Sequence, residues 1–129
     1  MESTTQTASI LVVDDEENTR EGLSKILTKE GYAVEMAANG KEAIGVLKRQ
    51  SFDLVITDMR MPLMDGFEVL REIKKMDEEV GVIMITAYGE VESYLEAMNM
   101  GAFEYINKPV RVNELKRVIT KVLEVRRKK

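Results

Sequence analysis

"FDLVITDMRMPLMDG", residues 52–66, begins as an apolar run and ends as a turn. The core of "DLVIT" (53–57) is apolar without alternation, as in a strand covered on both faces. "MPLMDG" then supplies a proline and an Asp-Gly pair, which are turn signals. At the junction stands Asp58, a carboxylate at the end of the most apolar strand.

Working outward, strand-like runs recur at regular spacing: "SILVV" (9–13), "YAVEMA" (32–37), "VIMIT" (82–86) and "FEYI" (103–106). The segments between them have helical periodicity. Leu23, Ile26 and Leu27 form one face, with Gly31 as its stop. Ala43, Ile44 and Leu47 form a second, and Val69, Leu70, Ile73 and Met76 a third. Val91, Leu95 and Met98 form a fourth, and Leu115, Val118, Ile119, Val122 and Leu123 a fifth. Five strands alternating with five helices predict βαβ units and a parallel sheet. The expected fold is a single doubly wound (βα)5 α/β domain of the flavodoxin-like kind. Its strand order, 2-1-3-4-5, is taken by analogy with such folds. Residues 1–8 read as a flexible N-terminal tail and 9–127 as the domain. Residues 128–129 read as a basic end where a linker would start.

A chain of 129 residues, 44% hydrophobic and 33% charged, fits one globular domain with a real core. There is no cysteine and no histidine, which excludes disulfides, thiolate or imidazole ligands and phosphohistidine. The net charge of −4 gives no general attraction to nucleic acid, so direct nucleic-acid binding is not expected. "MESTTQTAS" lacks the pattern of a signal peptide, and no apolar run reaches the length of a membrane span. No membrane association and a cytoplasmic location are therefore expected.

Ligands of doubly wound sheets bind at the carboxyl ends of the strands. The polar residues placed there are Asp14 and Asp15 after strand one, Asp58 after strand three, Thr86 ending strand four, and Lys108 with Pro109 after strand five. Each has an ordinary structural reading: a helix N-cap for Asp14 or Asp15, a turn residue for Asp58, a β-branched strand residue for Thr86, a surface lysine and a helix-starting proline for Lys108 and Pro109. The methionines, among them Met59, Met61 and Met64, read as core or loop packing. Together the ordinary readings strain, because three carboxylates at one edge repel unless a cation sits among them. An oxygen-only donor set suits a hard ion such as Mg²⁺, which is bound by few carboxylates plus waters and phosphate. A lysine and a hydroxyl beside it suit phosphoryl oxygens. A carboxylate held there is also able to act as a nucleophile and form an aspartyl phosphate.

In "ILVVDDE" (10–16), "DLVITDMRMPLMDG" (53–66), "ITAYG" (85–89) and "GAFEYINKP" (101–109), the chain resembles the receiver domain of two-component response regulators over nearly its whole length. "RMPLMDG", "TAYGEVE" and "GAFEYINKP" look most like receivers of nitrogen-regulatory-type transcription activators. The resemblance implies a phosphorylation-dependent signalling switch with Asp58 as phosphoacceptor and Mg²⁺ as cofactor. It implies Asp15 as a direct metal ligand, Asp14 as one acting through water, and the Arg60 carbonyl as a backbone ligand. Thr86 and Lys108 would bind the phosphoryl oxygens, with Ala87 as the small residue beside the site. Thr86 and Tyr105 would form the switch, Tyr105 turning inward as Thr86 moves to the phosphoryl group. The Lys108–Pro109 bond would be cis.

Arg60 and Tyr88 match positions that tune phosphoryl lifetime, and their bulk suggests a comparatively long-lived phosphoryl group. The partners implied are a sensor histidine kinase or phosphotransfer protein, an own or partner output domain, and a phosphorylation-dependent homodimer. They would engage the face of helix four, strand five and helix five, near Glu92, Glu96, Tyr105 and Arg111. Such a domain catalyses its own phosphorylation and slow dephosphorylation and is not a turnover enzyme.

Two rivals stand beside this reading. A Mg²⁺-dependent phosphohydrolase of the haloacid-dehalogenase kind also forms an aspartyl phosphate, but usually carries an acidic residue two positions after the nucleophile, where this chain has Arg60. A flavin or nucleotide binder would want a glycine- or hydroxyl-rich loop after strand one, where this chain has "VVDDEEN".

Overall fold

The computed structural model describes residues 7–77, 79–87 and 91–127. Tyr88, residues 1–6 of the expected tail and residues 128–129 lie outside these. The elements alternate along the chain: β1 (Ser9–Val13), α1 (Glu17–Lys29), β2 (Ala33–Ala37), α2 (Gly40–Arg49), β3 (Leu54–Asp58), α3 (Gly66–Met76), β4 (Gly81–Thr86), α4 (Val91–Asn99), β5 (Glu104–Asn107) and α5 (Val112–Arg127). The strands form one parallel sheet of order β2-β1-β3-β4-β5, as expected. The ladder reaches one residue beyond β1, since Ala33 N–H donates to Ala8 O at 2.9 Å.

The strand residues alternate between two cores. Leu11, Val13, Val55, Val82 and Met84 face α2, α3 and α4, where they meet Ala43, Val46, Val69, Leu70, Ile73 and Ala97. Ile10, Val12, Leu54, Ile56, Ile83 and Ile85 face α1 and α5, against Leu23, Leu27, Leu115, Val118, Ile119 and Val122. Every residue of β3 and β4 is buried, which is why these strands read as unbroken apolar runs. Burying each large aliphatic side chain stabilises the fold by about 1.5–3 kcal/mol.

Two helix faces differ from expectation. Leu95 is 54% exposed and Met76 is 42% exposed. Helix α4 meets the core through Ala97, with Met98 partly buried beside it. Met76 is the last residue of α3. Local stops agree with the sequence. Gly31 follows α1 at φ 98°, in the left-handed region that favours glycine. Asp65 caps α3 in a capping box with Glu68, so the Asp-Gly pair is the helix start rather than a free turn.

Candidate functional site

The carboxyl edge of the sheet gathers side chains from the ends of three strands. β3 ends on Asp58 itself, which is 8% exposed. Asp14 follows β1 and is 3% exposed, while Asp15 is exposed beside it. One carboxylate oxygen from each of Asp14, Asp15 and Asp58 lies within 4.8 Å of the others. Lys108 Nζ stands 3.6 Å from Asp14 Oδ2 and 3.6 Å from Asp58 Oδ1. One ammonium thus serves two carboxylates, and the cluster keeps an excess of negative charge.

Backbone hydrogen bonds lock these ends together. Lys108 N–H donates to Thr86 O at 2.7 Å, and the Lys108–Pro109 bond is cis. Met59 N–H donates to Ile85 O at 2.9 Å, and Gly66 N–H to Met59 O at 2.8 Å. A Cβ on Gly66 would lie 2.8 Å from Asp58 O and from Met59 Cα, so the loop returns to the strand end only through glycine. Neither Asp14 nor Asp15 caps α1, since Glu16 holds that position. Asp14 Oδ1 instead accepts from Glu16 N–H at 2.9 Å. Pro109 does not open α5, which starts at Val112.

Burial is the largest influence on both buried carboxyls. It raises the Asp58 pKa, reinforced by the Asp14 charge and opposed by Lys108. It raises the Asp14 pKa, opposed by the Glu16 N–H and then by Lys108. An oxygen-only cluster that resists its own ionisation is matched to a small hard cation, so the residues fit Mg²⁺.

Thr86 is fully buried at the end of β4. Tyr105 is also buried: its ring already lies inward, with the hydroxyl 3.5 Å from Met59 Sδ. The ring meets Tyr94 of α4 edge-to-face, centroids 5.8 Å apart at 87°. Arg60, Ala87, Glu96 and Arg111 are exposed, and Glu92 lies in α4. Two contacts at the edge have no counterpart in the sequence reading. Met59, expected only as packing, carries the Tyr105 contact. Arg20 of α1 donates from Nη1 to Asp14 O at 2.8 Å. A basic residue one helical turn inside the helix that follows an acidic pair was the available signal for Arg20. No local signal pairs Met59 with Tyr105.

A family model for the response regulator receiver domain matches residues 10–120. Sporulation initiation phosphotransferase F of Bacillus subtilis (strain 168) is 38% identical over 117 residues, covering 91% of this chain and 94% of that protein. Transcriptional regulatory protein ZraR of Escherichia coli (strain K12) is 40% identical over 114 residues, 88% of this chain but 26% of the longer protein. The chain therefore spans nearly all of one relative and about a quarter of the other. Among solved structures, a CheY-like response regulator receiver domain protein from Methanospirillum hungatei JF-1 superposes with a TM-score of 0.92 at 33% identity, covering 95% of this chain and 98% of that one. Among the described residues, no helix is long and apolar enough to cross a membrane. With its sheet order, its acidic edge and these likenesses, the chain belongs to the response regulator receiver domain family of two-component signalling.

Proposed function

We propose that Asp58 is the phosphoacceptor of a cytoplasmic, phosphorylation-dependent switch. The observation that carries this reading is the convergence of Asp14, Asp15 and Asp58 with the Lys108 ammonium between two of them. An Asp58 carboxylate oxygen attacks phosphorus, and the bond from phosphorus to the donor breaks. With a histidine kinase or phosphotransfer protein, that bond is P–N and the imidazole leaves. With acetyl phosphate it is P–O and acetate leaves. The product is an aspartyl phosphate.

Asp15, Asp58 and the Arg60 carbonyl would hold Mg²⁺ directly, with Asp14 acting through water. What Mg²⁺ supplies when bound is positive charge against the crowded carboxylate and phosphoryl oxygens. Lys108 orients the transferred group and offsets charge as it builds on the phosphoryl oxygens. The Thr86 hydroxyl donates to a phosphoryl oxygen. Its movement is read by Tyr105, which remodels the face of α4, β5 and α5 for an output domain or a second copy. Arg60 and Tyr88 slow the approach of the hydrolytic water, so the phosphoryl group is comparatively long-lived and the domain does not turn over as an enzyme.

Acetyl phosphate with Mg²⁺ is expected to add one phosphoryl group, labile to base and hydroxylamine, as read by intact mass. Asp58→Asn is expected to abolish it. Equal uptake by that variant would place the acceptor elsewhere.

A further inference from the structure

We infer that Arg20 is a positioning residue for the metal site, acting through the main chain that joins Asp14 to Asp15. This rests on the Mg²⁺ reading above. The Arg20 Nη1 group lies 2.8 Å from Asp14 O, and the side chain is half-buried. That carbonyl belongs to the peptide unit that also carries the Asp15 nitrogen. Clamping it fixes the peptide plane and so the direction in which the Asp15 side chain leaves the backbone.

Asp14 itself has little need of the clamp. Its N–H donates to Ala37 O at 3.2 Å, its Oδ1 accepts from Glu16 N–H at 2.9 Å, and its side chain is packed. Asp15 is exposed, so packing does not aim it. The convergence of its carboxylate with those of Asp14 and Asp58 within 4.8 Å then depends on the peptide that precedes it.

The bland account is that Arg20 merely satisfies a strand-end carbonyl, with no bearing on the metal. The two accounts differ in sign at the site. A guanidinium beside the cluster opposes a cation through Coulomb repulsion, so its loss, taken as charge alone, tightens Mg²⁺ binding. Loss of a positioning group weakens it.

The experiment is a Mg²⁺ titration of wild type, Arg20→Ala and Arg20→Lys, read by amide shifts of the β1–α1 loop, with thermal unfolding in EDTA alongside. Arg20→Ala is expected to raise the Mg²⁺ Kd about 10-fold, the lower end of what outer partners of metal ligands contribute. Its melting point in EDTA is expected to fall by no more than about 4 °C, the scale of one hydrogen bond. Arg20→Lys keeps a donor on a stem of similar length and is expected to recover part of the loss. In an Asp15→Asn background the Arg20→Ala effect is expected to shrink, because the arginine acts through Asp15. Arg20→Ala protein that binds Mg²⁺ as tightly as wild type, or more tightly, overturns the inference. Should that variant not fold, Arg20→Gln carries the same test, and binding at or above wild-type strength overturns the inference there too. A wild type with no Mg²⁺ dependence overturns the metal-site reading itself, and the arginine's role with it.

Discussion

Burial disfavours the charged form of Asp58, so its contribution to stability has an unusual sign. Its folded pKa is raised above the ordinary carboxylate value, by burial first and the Asp14 charge next. The folded state therefore binds the proton more tightly than the unfolded chain does. The resulting stabilisation is fully present below the unfolded pKa of about 3.9 and is lost as pH rises through the folded pKa. In EDTA at pH 7 Asp58→Asn is expected to raise the melting temperature, because it removes a carboxyl whose charged form the fold disfavours. The gap between variant and wild type is expected to close as pH falls toward 4. Added Mg²⁺ is expected to stabilise wild type more than the variant, because the variant has one carboxylate fewer for the cation to hold and relieve. Calorimetry across pH with EDTA or Mg²⁺ checks all three; a variant no more stable than wild type in EDTA at pH 7 would sink the argument.

The connection from β3 to α3 is the element that aims Asp58, and it is held in two opposite ways. At Leu63 the chain takes a positive φ of 73°, and Met64 N–H donates to Pro62 O at 2.8 Å, a tight γ-turn. The Leu63 side chain is 89% exposed, so it returns no packing for the left-handed backbone. That conformation costs a non-glycine residue about 1–2 kcal/mol, partly offset in Leu63→Gly by glycine's larger unfolded-state entropy. A net gain of about 0.5–1 kcal/mol is expected for Leu63→Gly in urea unfolding. At Gly66 the constraint is steric, since a Cβ would meet the backbone of Asp58 and Met59 at 2.8 Å. Gly66→Ala is expected to destabilise by about 2 kcal/mol or more and to weaken Mg²⁺ binding, because the strand end itself must shift. Same-sign effects for the two variants would refute this division of the loop.

At the scale of the molecule, one sheet separates two cores, and the site sits over the edge that both share. Tyr105 belongs to the core that contains α2, α3 and α4, and its hydroxyl rests on Met59, the residue after the acceptor. Its ring also packs on Tyr94, which is partly exposed on α4. A displacement at Asp58 is thus one contact from Tyr105 and two from the surface of α4. A fluoroberyllate complex formed with Mg²⁺ is expected to shift amides at Tyr94, Glu96, Tyr105 and Arg111 well beyond those at Lys25, Lys29 and Lys41 of α1 and α2. Amide shifts confined to α1 and α2 would defeat this route.

By itself the sequence determined the element order, the buried strands and the identity of the residues at the carboxyl edge. Those features are written in local periods of 2 and 3.6 residues and in glycine, proline and capping signals, each legible within one element. The order of the strands came from analogy, and pairing in the tertiary structure decided it. Tertiary structure also decided that α4 turns Ala97 rather than Leu95 to the core, because a short helix docks by whichever stripe the neighbouring strands leave room for. The same holds for Lys108 reaching both Asp14 and Asp58, for Tyr105 meeting Met59, and for Arg20 closing on the Asp14 carbonyl. Such contacts join side chains from different elements, and their distances are set by how the parallel sheet stacks its strand ends, which no local pattern encodes.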